Sequence, residues 1–234
     1  MDEFPRPVKP GSDNPGSPAS LNATQFEMTN TRKILLTGFP PFPGRPINPT
    51  QQLVEAIRLG RIAIPMGLDV HAALVPCAYC DVETEFQSLV EQFEPDLVLA
   101  CGVGHSGALL HLEQQGVNLD DAPVPDNAGE TRERQEIISG GPETLPATID
   151  VVALRQELDA AGISVTLSDS AGCYLCNHLL YFGLHLARQL PRPYRMTFVH
   201  VRPLDQSGGE RDVSFETFVQ AMETLLQRLA ALDE

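Results

Sequence analysis

The chain has 234 residues, 42% of them apolar, and 31 acidic against 16 basic side chains give it a formal charge of −15. That length suits one globular domain, and the sign of the charge argues against a nucleic-acid partner, whose phosphates call for a basic surface. No apolar run approaches the roughly 20 residues that span a bilayer, no secretory leader pattern opens the chain, and five cysteines are an odd number for a disulfide framework. The expectation is therefore a cytoplasmic protein with reduced thiols and no membrane partner.

Residues 1–31 are rich in Pro, Gly and Ser and lack apolar periodicity, so they read as a disordered extension, leaving 32–234 as the folded domain. Within that domain, short Ile/Leu/Val runs alternate with helix-period segments, the pattern of strands crossing over through helices into a largely parallel sheet. Ile34–Thr37 predicts a first strand. Asn48 before Pro49 predicts a capped helix start, because the missing N–H of proline is not needed there, and Leu53, Ala56 and Ile57 supply the apolar stripe. Val70–Val75 alternates as a strand, Asp81 is positioned to cap a helix reaching Phe93, and Asp96–Ala100 has the uninterrupted apolar character of a strand buried on both faces. Leu109–Val117 reads as another strand. Residues 119–149, which include Pro123, Pro125, Pro142 and Pro146, read as a long loop, either a lid or a mobile surface segment. Asp150 opens a helix that Gly162 closes, Ile163–Leu167 is strand-like, and Ala171–Leu190 is a long helix. Met196–Val201 is a last strand, and Phe215–Leu232 is a helix with Leu225, Leu226, Leu229 and Leu232 on one face.

Two Cys-x-x-Cys pairs, Cys77/Cys80 and Cys173/Cys176, have a spacing used by zinc ligands. They enclose Ala-Tyr and Tyr-Leu where turn residues are expected, so small buried cysteines are the plainer reading for Cys77, Cys80 and Cys101. Cys176 follows the polar turn Ser168–Gly172 at the start of a helix, where unpaired amides and the macrodipole favour a thiolate and can hold an oxyanion. Cys173 is a rival on the same grounds. Such a nucleophile needs a base. His178 and His185 share its helix but point to other faces, and His71, His105 and His111 have no distinguishing context. His200 stands near the C-terminal end of a strand, where open α/β sheets gather their ligands. Glu113, a carboxylate among Leu109, Leu110, Leu112 and Val117, needs a partner or an exposed face and is the candidate to orient an imidazole. Gly102-Val103-Gly104 with Gly107 only approximates a dinucleotide fingerprint, its last glycine falling one position early.

Several motifs in order carry a resemblance. Arg32-Lys33-Ile34-Leu35-Leu36-Thr37-Gly38-Phe39-Pro40-Pro41-Phe42 is followed by Ile47-Asn48-Pro49-Thr50. Leu112-Glu113-Gln114-Gln115-Gly116-Val117-Asn118, Ser168-Asp169-Ser170-Ala171-Gly172-Cys173-Tyr174-Leu175-Cys176-Asn177 and Phe198-Val199-His200-Val201 come after it. From about Thr31 to the C-terminus the chain resembles the type I pyroglutamyl peptidases, also called pyrrolidone-carboxylate peptidases. The resemblance implies a three-layer α/β/α sandwich and selects Cys176 over Cys173 as nucleophile, with His200 as base and Glu113 orienting the ring. It implies that Phe39 and Phe42 enclose a pyroglutamyl ring, that Val124, Tyr174 and Leu175 add to the pocket wall, and that pyroglutamyl peptides are cleaved without metal or cofactor. It also implies a homodimer or homotetramer.

Departures accompany the match. Ser106-Gly107 stands where many bacterial members have Gly-Arg, Gln114 where an Arg often follows the glutamate, Pro123 where an Arg lies near the developing oxyanion, and Arg202 where Pro is usual. Arg132, Arg134 or Arg202 is the expected source of the missing positive charge. A peptidase-like binding module that turns nothing over is the alternative these changes favour.

Overall fold

A computed structural model describes residues 1, 31–104, 107–204 and 213–231. The N-terminal extension, His105, Ser106 and Leu232 of the sequence reading lie outside the described residues.

The domain is a six-stranded sheet between two helical layers. β1 (Arg32–Gly38), β2 (Leu68–Leu74), β3 (Leu97–Val103), β4 (Leu110–Glu113), β9 (Val165–Ser168) and β10 (Arg195–Val201) are ordered β2-β1-β3-β10-β4-β9. β2, β1, β3 and β10 are mutually parallel, β4 pairs antiparallel with β10, and β9 runs parallel to β4. The expected three-layer, mostly parallel sandwich is therefore what the chain forms.

Alternation along the strands sorts their side chains between two cores, as the period of two requires. Ile34, Leu36, Leu97, Leu99, Leu110, Leu112, Val199 and Val201 pack in one core with α1 (Pro49–Arg58), α3 (Val151–Ala160) and α5 (Phe215–Ala231). Leu35, Val98, Ala100, Met196 and Phe198 pack in the other with α2 (Tyr79–Phe93) and α4 (Leu175–Ala187). By that alternation His200, Glu113 and Gly102 all fall on the α2/α4 side.

Two helix starts follow the local sequence. Asn48 accepts from the Thr50 N–H with proline at the first helical position, and Asp150 accepts from Val152 and Ala153 N–H groups. Other boundaries depend on remote partners. α2 begins at Tyr79 instead of after Asp81, because the Asp126 carboxylate accepts the Tyr79 N–H at 2.7 Å and takes over the role of a cap. The segment Leu109–Val117 is broken at Gln114, whose backbone bonds outward to Ser168 O and from Ala147 N, both at 2.8 Å. Beyond the break, β5 (Gln115–Val117) pairs with β8 (Thr144–Pro146) in a separate two-stranded sheet, and β6 (Asp120–Ala122) pairs with β7 (Arg132–Gln135) in another. The region read as one long loop is thus tied down by these pairings. Helix α4 starts four residues later than expected, since Gly172 at φ 80° turns the chain and Tyr174 is extended before the first helical residue.

Candidate active site

Cys176 is the second residue of α4, which brings its thiol to the C-terminal end of the sheet. The first N–H groups of a helix have no intrahelical acceptor, so those of Leu175 and Cys176 are available to an anion beside the sulfur. Two glycines at the end of β3 make the space in which the site assembles. A Cβ on Gly102 would sit 2.9 Å from Cys176 Sγ and 2.7 Å from the Phe198 ring. A Cβ on Gly104 would sit 2.8 Å from His200 Cδ2 and 3.2 Å from Nε2. Sulfur and imidazole therefore lie against glycines two residues apart at the same strand end. The incomplete dinucleotide fingerprint in the sequence has this steric role.

His200 Nδ1 lies 2.7 Å from Glu113 Oε1, with both side chains almost fully buried. In the antiparallel pairing His200 stands opposite His111, so Glu113 is its diagonal neighbour two residues on, within reach of a long side chain. The Thr197 hydroxyl donates to Glu113 O at 2.9 Å and fixes the backbone that carries the acid. With a carboxylate on Nδ1, the ring holds its proton there and turns Nε2 toward the sulfur side.

Burial pushes the Cys176 thiol well above the ordinary range, and Cys77 and Glu113 add to the shift. Cys173 lies in a different setting: half-buried, its thiol raised by burial and by Asp121 and Asp120, and its carbonyl accepting from Asp121 N–H at 3.0 Å. Cys77 is buried, with its thiol raised to about 11, Cys80 is exposed, and burial alone raises Cys101 to about 12. Among the described residues, no group of three or more His, Cys, Asp or Glu side chains could hold a metal.

The expected pocket aromatics lie in two ring contacts. Phe39, 3% exposed, sits 6.5 Å from the Phe198 ring, and its N–H donates to Thr50 Oγ1. Phe42 lies 6.3 Å from the Tyr174 ring, and the Tyr174 hydroxyl donates to Pro125 O at 3.1 Å. Leu175 is buried, whereas Val124 is 51% exposed. Of the arginines expected to supply charge, Arg132 is bound to Asp120 and Glu130, the Arg134 backbone N–H donates to Asp121 Oδ1, and the Arg202 N–H donates to Leu109 O.

Asn177 is a residue the sequence reading passed over. Its side chain accepts from Val117 N–H and donates to Val117 O and Leu119 O, at 2.8 to 2.9 Å. It locks the segment after Glu113 to the helix bearing the thiol. Its place directly after the candidate nucleophile was the one available signal.

A thiol, an imidazole and a buried carboxylate on an α/β/α sheet are the groups that cysteine-dependent hydrolysis requires. The sequence matches the pyroglutamyl peptidase family over residues 32–228. A pyrrolidone-carboxylate peptidase of Erwinia tasmaniensis is 32% identical over 207 residues, 87% of this chain and 95% of that protein. One from Yersinia pestis is 32% identical over 196 residues, covering 82% and 90%. Pyroglutamyl peptidase I of Bacillus amyloliquefaciens superposes with a TM-score of 0.77 at 25% identity, over 86% of this chain and 98% of that one. The pyrrolidone carboxyl peptidase of Thermococcus litoralis gives 0.76 at 28%, over 84% and 92%. The chain belongs to the pyroglutamyl peptidase family.

Proposed function

We propose that Cys176, His200 and Glu113 are the catalytic residues of this cysteine exopeptidase, which removes an N-terminal pyroglutamyl residue from peptides. The observation that carries this reading is the placement of Cys176 Sγ against Gly102 and of the His200 ring against Gly104 at one strand end, with Glu113 on Nδ1 of that ring. His200 Nε2 takes the proton of the Cys176 thiol, and the sulfur attacks the pyroglutamyl carbonyl. Glu113 accepts from Nδ1–H and steadies the imidazolium that forms. The amides at the start of α4 receive the developing oxyanion. The imidazolium then protonates the departing amine, sulfur keeps the acyl group, and water activated by His200 frees pyroglutamate and restores the thiol.

Phe39, Phe42, Tyr174 and Leu175 make an apolar wall suited to a neutral lactam ring, with Val124 at its rim. Five free cysteines fit a reducing cytoplasmic compartment, and no described helix is long and apolar enough to cross a membrane. Assembly as a homodimer or homotetramer is part of the reading; exposed Leu59, Ile64 and Met66 offer apolar surface for a second copy.

The test is hydrolysis of a fluorogenic pyroglutamyl amide by the parent and by Cys176→Ser. Release by the parent alone is expected. Equal release by both would move the nucleophile elsewhere, and release by neither would favour the binding module.

A further inference from the structure

A second buried histidine–carboxylate system lies two residues from the nucleophile and takes no part in the proposed chemistry. His178 Nδ1 is 2.8 Å from Asp120 Oδ2, with both side chains fully buried, and Nε2 is 3.0 Å from Glu83 Oε1, an ion pair off the line of a straight hydrogen bond. Asp120 also receives Arg132 Nη1 at 2.9 Å, and Arg132 Nε reaches Glu130 at 2.8 Å. The Arg132 guanidinium lies 4.1 Å over the Tyr79 ring, which meets His178 edge-on at 5.4 Å and Tyr174 edge-on at 5.9 Å.

From this geometry we infer that the chain Glu83–His178–Asp120–Arg132 is a strap that positions Tyr79, and through it the Tyr174 wall of the ring pocket, and so sets how tightly the pyroglutamyl group is held. The inference rests on the reading that Tyr174 lines that pocket. The strap joins α2 through Glu83 and Tyr79, α4 through His178, and the β6–β7 pair through Asp120 and Arg132. Nothing in it touches Cys176 Sγ, His200 or Glu113 in the contacts above, so its members are positioning residues.

The strap requires a cation at its centre. A neutral imidazole has one N–H, which would leave one of the two carboxylates facing a lone pair; the protonated ring presents a donor to each. Burial pulls the His178 pKa down, but the bonds to Asp120 and Glu83 outweigh it and the net shift is upward. The charged and titratable groups around the ring are Glu83 and Tyr79 from α2, Asp120 from β6, and Arg132 with Glu130 behind it from the β7 side. Three of these are carboxylates against one guanidinium, so the surroundings favour the protonated ring.

The experiment compares steady-state hydrolysis of a pyroglutamyl amide by the parent, His178→Gln, Asp120→Asn and Glu83→Gln across pH 5–9, with melting curves recorded alongside. His178→Gln and Asp120→Asn should each raise KM by about tenfold while kcat changes by less than about threefold, the signature of lost binding without lost transition-state chemistry. In the parent, KM should climb at alkaline pH as His178 loses its proton; in His178→Gln that climb should be absent. An unchanged KM, or a fall in kcat alone, in folded variants overturns the inference. If the first two variants do not fold, Glu83→Gln decides, since Glu83 is partly exposed: a KM and pH profile identical to the parent's overturn the strap, and a higher KM with an earlier alkaline climb supports it. Loss of activity in Cys176→Ser, measured in parallel, keeps failure of the strap distinct from failure of the catalytic assignment.

Discussion

Two histidines in this protein have nearly identical first contacts and different surroundings. His200 and His178 each place Nδ1 against a fully buried carboxylate, at 2.7 and 2.8 Å. The second nitrogen separates them. That of His200 looks toward space kept open by Gly104, beside a thiol, whereas that of His178 faces Glu83. In the proposed mechanism one ring exchanges a proton during turnover, whereas the other lies between two acids that favour its protonated form. The same imidazole–carboxylate pairing thus occurs in two settings, and the proposed roles differ by what stands at the opposite nitrogen.

The largest expected effect breaks the His200 side of the contrast. His200→Ala should lower kcat/KM by about 10⁴-fold, the scale of removing the base from such a set. Iodoacetamide should then alkylate Cys176 only above the usual thiol range, because burial keeps the sulfur protonated without its acceptor. A variant alkylated as fast as the parent at pH 7 would show that the imidazole does not activate this thiol.

Next comes the His178 side, read as stability. Removing one partner of a buried ion pair costs about 3 kcal/mol, and His178→Gln should lose an amount of that order at pH 6. The folded-state pKa of His178 is raised, so its contribution is fully present below the ordinary imidazole value and fades as pH rises through the folded one. Denaturant unfolding of parent and variant should accordingly converge toward pH 9; a constant gap would remove charge as the cause.

Smaller still is the effect at the opening itself. Gly102→Ala sets a methyl 2.9 Å from Cys176 Sγ and 2.7 Å from the buried Phe198 ring, so displacement of the sulfur should cost about 10²-fold in kcat and the melting temperature should fall as the core is overpacked. Undiminished turnover would mean that the thiol does not work from the position over β3.

The parts of the fold legible in the sequence were those whose cause is local. Apolar runs announced β1, β3 and β10, and Asn48 and Asp150 announced their helices because each caps its own first turn. Where the cause was remote, the sequence misled: Asp126 starts α2 from 47 residues away, and Gln114 ends β4 through bonds to Ser168 and Ala147. The candidate site followed the same rule. Motif order drew attention to Glu113, Cys176 and His200, but Gly102, Asn177 and the Asp120–His178 pair acquire their roles only from neighbours that the fold supplies. A glycine every second residue at the end of a fully buried strand was the one local hint, and it was read as a poor nucleotide motif.

The reversed direction of β4 has a further consequence. Since His111, not Glu113, lies opposite His200, the acid continues past the histidine toward the middle of the sheet and sits beneath it, 0% exposed. A strand running the other way would carry its terminal side chain outward past the rim and into bulk solvent. Placed underneath, the negative charge is felt through protein instead of water, where the effective dielectric constant is lower and attraction to a newly formed cation correspondingly greater. An incoming peptide can fill the cleft above without ever displacing the counter-charge below.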